Sequence, residues 1–173
     1  VQLDDIHILD NVLLRLASSV VMSTEELTAA CLPGYEVTKR EGGKPDLGAP
    51  DGRILPCSIT HTSNFSAICW GDTGHIGIDA ERSDRVVHAG LPARMCHPED
   101  DIRLMEQPIE AWIIKESVLK CIGTGLRLAM NKISVQFSSS DRFTAKWNGH
   151  LFHGILLTRH DIRLCIVHTS SSL

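Results

Sequence analysis

Asp79 and Glu81 stand two residues apart in the run Ile76-Gly77-Ile78-Asp79-Ala80-Glu81. Successive side chains of a strand alternate sides, so the two carboxylates project from one face. Carboxylates that close repel unless a cation or water separates them, and hard oxygen donors favour Mg2+ or Mn2+ over Zn2+. A solvated strand edge would carry the same residues, and the motif alone leaves both accounts open. A second run, Trp112-Ile113-Ile114-Lys115-Glu116-Ser117-Val118-Leu119-Lys120, carries another acid and base. On a helix Trp112, Glu116 and Lys120 fall along one stripe. An ordinary glutamate–lysine pair on a wet helix face reads the same way.

Two further clusters suit anions. Lys44 sits in Gly43-Lys44-Pro45, where a rigid frame could present an ammonium to a phosphate; a plain surface loop is the alternative. Ile59-Thr60-His61-Thr62-Ser63 follows a strand pattern. Its hydroxyls, imidazole and backbone amides could grip an anion, or the segment is a turn stabilised by local hydroxyl–backbone bonds.

These residues need elements to hold them. Ile6, Leu9, Leu13, Leu16 and Val20 recur every three or four residues, which predicts a helix over Asp4 to Val21. Ser23, with Glu26 three places on, predicts the capped start of a short second helix. Pro33-Gly34 breaks the chain before a strand at Tyr35 to Lys39, and Arg40 to Arg53 reads as a Gly/Pro-rich loop. Strands follow at Cys57 to Thr60, Phe65 to Trp70 and His75 to Ala80; the turn residues Gly71-Asp72-Thr73-Gly74 make the last two a hairpin. Val86 to Gln107 is a connection with short helices, and Pro108 to Ile122 a long helix ended by Gly123 to Gly125. Four strands close the chain, at Ile133 to Phe137, Phe143 to Trp147, Phe152 to Arg159 and Arg163 to His168. The order suggests an α+β fold of two similar halves, 1–85 and 86–173, related by a pseudo-twofold with a ligand cleft between them.

Composition narrows the function. The 173 residues carry a net charge of −4, so a chain-wide basic surface for nucleic acid is absent. No apolar run reaches the roughly 18 residues that span a bilayer. Val12 to Met22 is interrupted by Arg15 and two serines and lacks a basic lead, so it reads as part of the fold rather than as an export signal. Six scattered cysteines with no CxxC pair fit reduced thiols in a cytoplasmic protein. Nine histidines include no HExxH and no zinc-finger spacing.

Taken in order, the clusters resemble the 4'-phosphopantetheinyl transferase superfamily, in particular its surfactin-synthetase-activating type with two fused halves. That family carries a GKP or GRP loop, N-x-S-H-S, (V/I)-G-(I/V)-D-x-E, W-(S/T)-x-K-E-(S/A)-x-x-K and G-x-G-L. This chain reads GKP at 43–45, SITHT at 58–62, IGIDAE at 76–81, WIIKESVLK at 112–120 and GTGL at 123–126. The resemblance runs from about Asp10 to Val135.

It implies a monomeric enzyme that moves the phosphopantetheine arm of coenzyme A onto a serine of an acyl- or peptidyl-carrier protein with Mg2+, or Mn2+, and releases adenosine 3',5'-bisphosphate. Asp79, Glu81 and Glu116 are the implied metal ligands, and Glu116 could also take the serine proton. Lys120, His61 with Thr60, and Lys44 are the implied contacts to coenzyme A. Glu99 aligns with a further acid of the family. The front of the chain departs from the family: it lacks the usual basic residues, and the opening strands look missing or shortened. Lys115, Arg127 and Lys132, with Ile113, Leu126, Leu128 and Met130, are the candidate patch for an acidic carrier, or else the apolar residues are core and the bases merely solvated. Two other readings use the same residues: a catalytically weak member that binds coenzyme A or carrier, and a Mg2+-dependent phosphohydrolase.

Overall fold

A computed structural model of the chain describes residues 1–9, 11–20, 22–39 and 43–173. The chain folds as two antiparallel sheets with helices on their outer faces. The first sheet holds β1 (Gln2–Leu9), β2 (Val12–Val20), β3 (Glu36–Lys39), β4 (Pro45–Gly48), β5 (Ile54–His61) and β6 (Phe65–Trp70), in the order β1-β2-β6-β5-β4-β3. The second holds β7 (His75–Arg82), β8 (Ser134–Phe137), β9 (Arg142–Trp147), β10 (His150–Arg159) and β11 (Ile162–Thr169), in the order β7-β11-β10-β9-β8.

Both halves follow one plan. A strand leads into helix, the helix into a four-stranded meander, and the last meander strand returns antiparallel to the first. In the first half β2 leads to α1 (Thr24–Cys31), then β3 to β6, and β6 pairs with β2. In the second β7 leads to α2 (Leu91–Met95), α3 (Arg103–Glu106) and α4 (Pro108–Ile122), then β8 to β11, and β11 pairs with β7. The α+β fold of two similar halves expected from the sequence is therefore present, with β1 added as an outer strand. The sheets divide the chain between Trp70 and His75, so β7, inside the expected 1–85 half, pairs in the second sheet.

Apolar residues on the facing sides of the sheets, among them Ile6, Ile8, Leu14 and Leu16 against Ile76, Ile78, Leu164 and Ile166, form the shared core. A second core lies under α1, around Leu27, Leu47, Cys57 and Ile68. A third lies between α4 and the outer face of the second sheet, around Ile114, Val118, Phe143 and Phe152.

The helix expected over Asp4 to Val21 is instead the β1–β2 hairpin. Its apolar residues fit two periods at once. Leu9, Leu13 and Val20, which complete the helical stripe, are 39%, 38% and 49% exposed, while the alternating pairs Ile6/Ile8 and Leu14/Leu16 are buried. Burial selects the strand period, and pairing sets Asp5 opposite Arg15. The chain thus opens with two strands, of eight and nine residues. Residues 10 and 21 of that segment, and 40–42 of the expected loop, lie outside the described residues.

The expected β6–β7 hairpin does not form: β6 pairs with β2 and β5, and β7 crosses to the other sheet. β6 is buried along its whole length and β7 over Ile76 to Ala80, so their residues report burial but not partner. Part of the expected Arg40 to Arg53 loop is β4, held by Leu47, which is wholly buried. The remaining elements fall where the sequence puts them. Ser23 and Glu26 make both bonds of the capping box on α1, and α4 spans the expected residues before Gly123 ends it at φ +87°.

Candidate functional site

The candidate site forms where the two halves meet, along β5, β7 and the last turns of α4. On β7, Ile76, Ile78 and Ala80 enter the shared core, which leaves Gly77, Asp79 and Glu81 on the face toward α4. Gly77 sets how close helix and strand approach: a Cβ there would stand 1.8 Å from Ser117 O and 2.7 Å from Cys121 N. Glycine is thus required by the packing that brings Asp79 beside the helix. Ser117 fixes the same helix to β11 by donating its hydroxyl to Cys165 O, at 3.1 Å. Trp112, Glu116 and Lys120 are half-buried along one face of α4, amid buried neighbours, as the spacing predicts.

Four polar contacts stitch the halves together here. Ser58 Oγ accepts from Ile78 N at 3.0 Å. Thr60 Oγ1 donates to Asp79 Oδ1 at 3.4 Å. The Lys120 ammonium donates to Asp79 Oδ1 at 2.8 Å, to Ile78 O at 3.0 Å and to Ile59 O at 3.4 Å. Lys44, from the first half, donates to Cys121 O at 2.7 Å.

Asp79 is buried, and burial raises its carboxyl pKa although the Lys120 charge and hydrogen bond oppose the rise. Its Oδ1 is shared by Lys120 and Thr60, while its Oδ2 is buried without a hydrogen-bond partner. An orphaned carboxylate oxygen is costly and marks a place where a cation or donor belongs. Burial also raises the pKa of Glu116, with the Asp79 charge adding to the rise, so the two carboxylates repel one another as they stand. Glu81, the third expected ligand, is paired with Arg85, whose guanidinium lies 5.7 Å from the Trp112 ring centroid. Among the described residues no three His, Cys, Asp or Glu side chains gather into a metal-holding group. Asp79 and Glu116 are hard oxygen donors, one of them with a free buried oxygen, and as a pair they fit a hard divalent cation.

Two adjoining pockets flank this seam. One, of about 190 Å³, is lined by Lys44, Ser58, Ile59, Lys120 and the glycines at 43, 123 and 125. The other, of about 420 Å³, continues past Pro45 and Ile59 to Lys39, His61, Thr62, Ser66 and the start of α1. The structure thus brings Asp79, Glu116, Lys120 and Thr60 together, sets Lys44 beside Lys120, and places the exposed His61 in the further pocket. A larger cavity, about 700 Å³, lies between the β1–β2 turn and β9–β10 and contains none of these residues.

Several expectations are corrected. Lys115 is fully buried; it pairs with Asp100 at 2.5 Å and donates to Met95 O and Ile133 O, so it is no surface base. Ile113 and Met130 belong to the core. Lys115 is received by Asp100, which stands next to the exposed Glu99 in the loop before α3. The sequence reading also passed over Arg85 and the bond that Ser58 accepts from the Ile78 amide; only the i,i+4 spacing of Glu81 and Arg85 signalled the first.

The sequence model described as the 4'-phosphopantetheinyl transferase superfamily matches residues 75–167, a little over half of the chain. That stretch begins with β7 and holds Asp79, Glu81, Glu116 and Lys120; Lys44, Thr60 and His61 precede it. A search of curated proteins finds no match.

Proposed function

The chain belongs to the 4'-phosphopantetheinyl transferase superfamily, and we propose that it transfers the phosphopantetheine arm of coenzyme A to a serine of an apo carrier protein, as members of the surfactin-synthetase-activating type do. The observation that carries this reading is the unpartnered, buried oxygen of Asp79, on a carboxylate whose other oxygen holds the Lys120 ammonium and whose charge is felt by the half-buried Glu116, at the seam of the two halves.

In the proposed reaction the carrier serine oxygen bonds to the β-phosphorus of coenzyme A. The bond from that phosphorus to the bridging oxygen breaks, and adenosine 3',5'-bisphosphate leaves. Asp79 and Glu116, with Glu81 if it leaves Arg85, would hold Mg2+ or Mn2+; when bound, the cation would neutralise charge on the pyrophosphate and the leaving group. Lys120 supplies a second positive charge at the same place, at the cost of its bond to Asp79. Ser58 and Thr60 keep β5 against β7, and so hold the pocket wall in register with the carboxylates. The adenosine end of the donor extends toward Lys39 and His61. Glu116 would also accept the serine proton. No helix of the described residues is long and apolar enough to cross a membrane.

The test is mass spectrometry of apo acyl- and peptidyl-carrier proteins incubated with coenzyme A, Mg2+ and the protein. The expected result is a gain of one phosphopantetheine per carrier, lost in folded Asp79→Ala and Glu116→Ala variants. Release of phosphopantetheine without carrier modification would favour the phosphohydrolase instead, and near-normal turnover by either variant would remove the carboxylates from the mechanism.

A further inference from the structure

Lys120 is not the only lysine at the end of α4. Lys44 lies in the loop before β4, yet its ammonium donates to Cys121 O, 77 residues away in the sequence. Its stem runs over the helix terminus: a Cβ built on Gly123 would stand 3.6 Å from Lys44 Cδ. The last carbonyls of a helix lack partners within it and carry the negative end of its dipole, so an ammonium there stabilises the final turn. α4 has one basic residue of its own in that turn, Lys120, and Lys120 is turned to Asp79, Ile78 and Ile59. The helix end is therefore held from outside, by the other half of the chain.

Lys120 immediately precedes the residue that Lys44 holds. Its ammonium reaches both β7 and β5, so its position depends on how the last turn of α4 meets the first half.

We propose that Lys44 is a positioning residue that clamps the last turn of α4 to the first half and thereby sets Lys120 over the Asp79 carboxylate. This deepens the transferase reading, on which its kinetic test rests. It differs from the direct contact with coenzyme A that the family resemblance implies, and the two roles separate experimentally. A donor contact acts mainly on KM, whereas a misplaced Lys120 acts on kcat.

The experiment compares the unmodified protein with Lys44→Met, which keeps the stem without the charge, and with Lys44→Arg, which keeps charge and donors. Hydrogen exchange is followed by mass spectrometry over residues 119–123 without donor, alongside steady-state transfer to a carrier. For Lys44→Met the clamp requires faster exchange at 119–123 with β10 unchanged. It also requires kcat to fall by about ten- to a hundredfold at nearly constant KM for coenzyme A. Lys44→Arg should restore both. Unchanged exchange, or a severalfold rise in KM at unaltered kcat, overturns the clamp in favour of a donor contact. Should Lys44→Met fail to fold, Lys44→Gln supplies the same comparison. If the unmodified protein transfers nothing, the transferase reading fails, while the exchange data still decide whether Lys44 clamps the helix.

Discussion

At the scale of single residues, the site rests on a glycine as much as on its charges. Gly77→Ala would drive a methyl into the backbone of α4, and backbone cannot swing aside as a side-chain end can. We expect a loss of about 1–3 kcal/mol or more, by denaturant titration, together with loss of transfer. Gly48→Ala, where the nearest atom would lie 3.6 Å away, should leave both nearly unchanged. His168 gives a pH dependence. It is wholly buried; burial lowers its pKa first, and the neighbouring His153 and His75 lower it further against an opposing bond to Thr73 O. A histidine kept neutral by the fold contributes its full stability above its ordinary pKa of 6.5 and loses it as pH falls below that value, because the unfolded chain then binds the proton first. Denaturation midpoints taken between pH 7.5 and 5.5 should therefore fall, and His168→Gln should flatten the fall without removing it, since His75 and His153 are shifted the same way. At this scale the sequence was legible where a motif repeats a chemical need, as in Asp79, Glu116 and Lys120. It put Lys115 on the surface, because a lysine beside a glutamate on a helix is usually wet, and only the fold supplies Asp100 and two carbonyls to receive it.

Among the elements, α4 was the most legible, since Pro108 and Gly123 mark its ends and its apolar residues leave one polar stripe. The opening hairpin was the least, because its leucines and isoleucines satisfy periods of both two and three to four. What keeps α4 in place is partly polar. Lys115 ties it to the 96–101 loop through Asp100, and Asp100 in turn accepts from Val135 N of β8 at 2.8 Å. Removing one partner of a buried pair strands the other charge, which costs about 3–5 kcal/mol. Lys115→Met should therefore lower the thermal midpoint sharply, whereas Lys132→Met, at an exposed position, should not. If the two variants melt alike, the pair does not hold the helix.

For the whole molecule, the net charge of −4 opposes any acidic partner, so a local surface must recruit it. With Lys115, Ile113 and Met130 inside, the expected patch reduces to exposed Arg127 and Lys132 with Leu126, which is 69% exposed. On the proposed reading, reversing both charges to glutamate should raise KM for the carrier severalfold and leave KM for coenzyme A unchanged. An unaltered carrier KM would move the docking surface to residues 82–107. The two-half plan was legible only in outline, because the halves share topology without sharing sequence, and strand pairing across a chain is invisible to local pattern.

The repeated plan separates two kinds of constraint. The carboxylates and Lys120, with β7 and α4 that carry them, belong to the second copy, whereas the lysine at the helix end and most of the wall of both pockets come from the first. On the proposed reading, substitutions at pocket residues of the first copy that stand away from the seam, such as Lys39 and Thr62, can reshape which donor is accepted while the charges that would act on phosphorus stay fixed. Away from Lys44, Ser58 and Thr60 the first copy would then be free to diverge with the ligand, while the second would be bound to the proposed reaction; the family match begins at residue 75, at the start of the second copy.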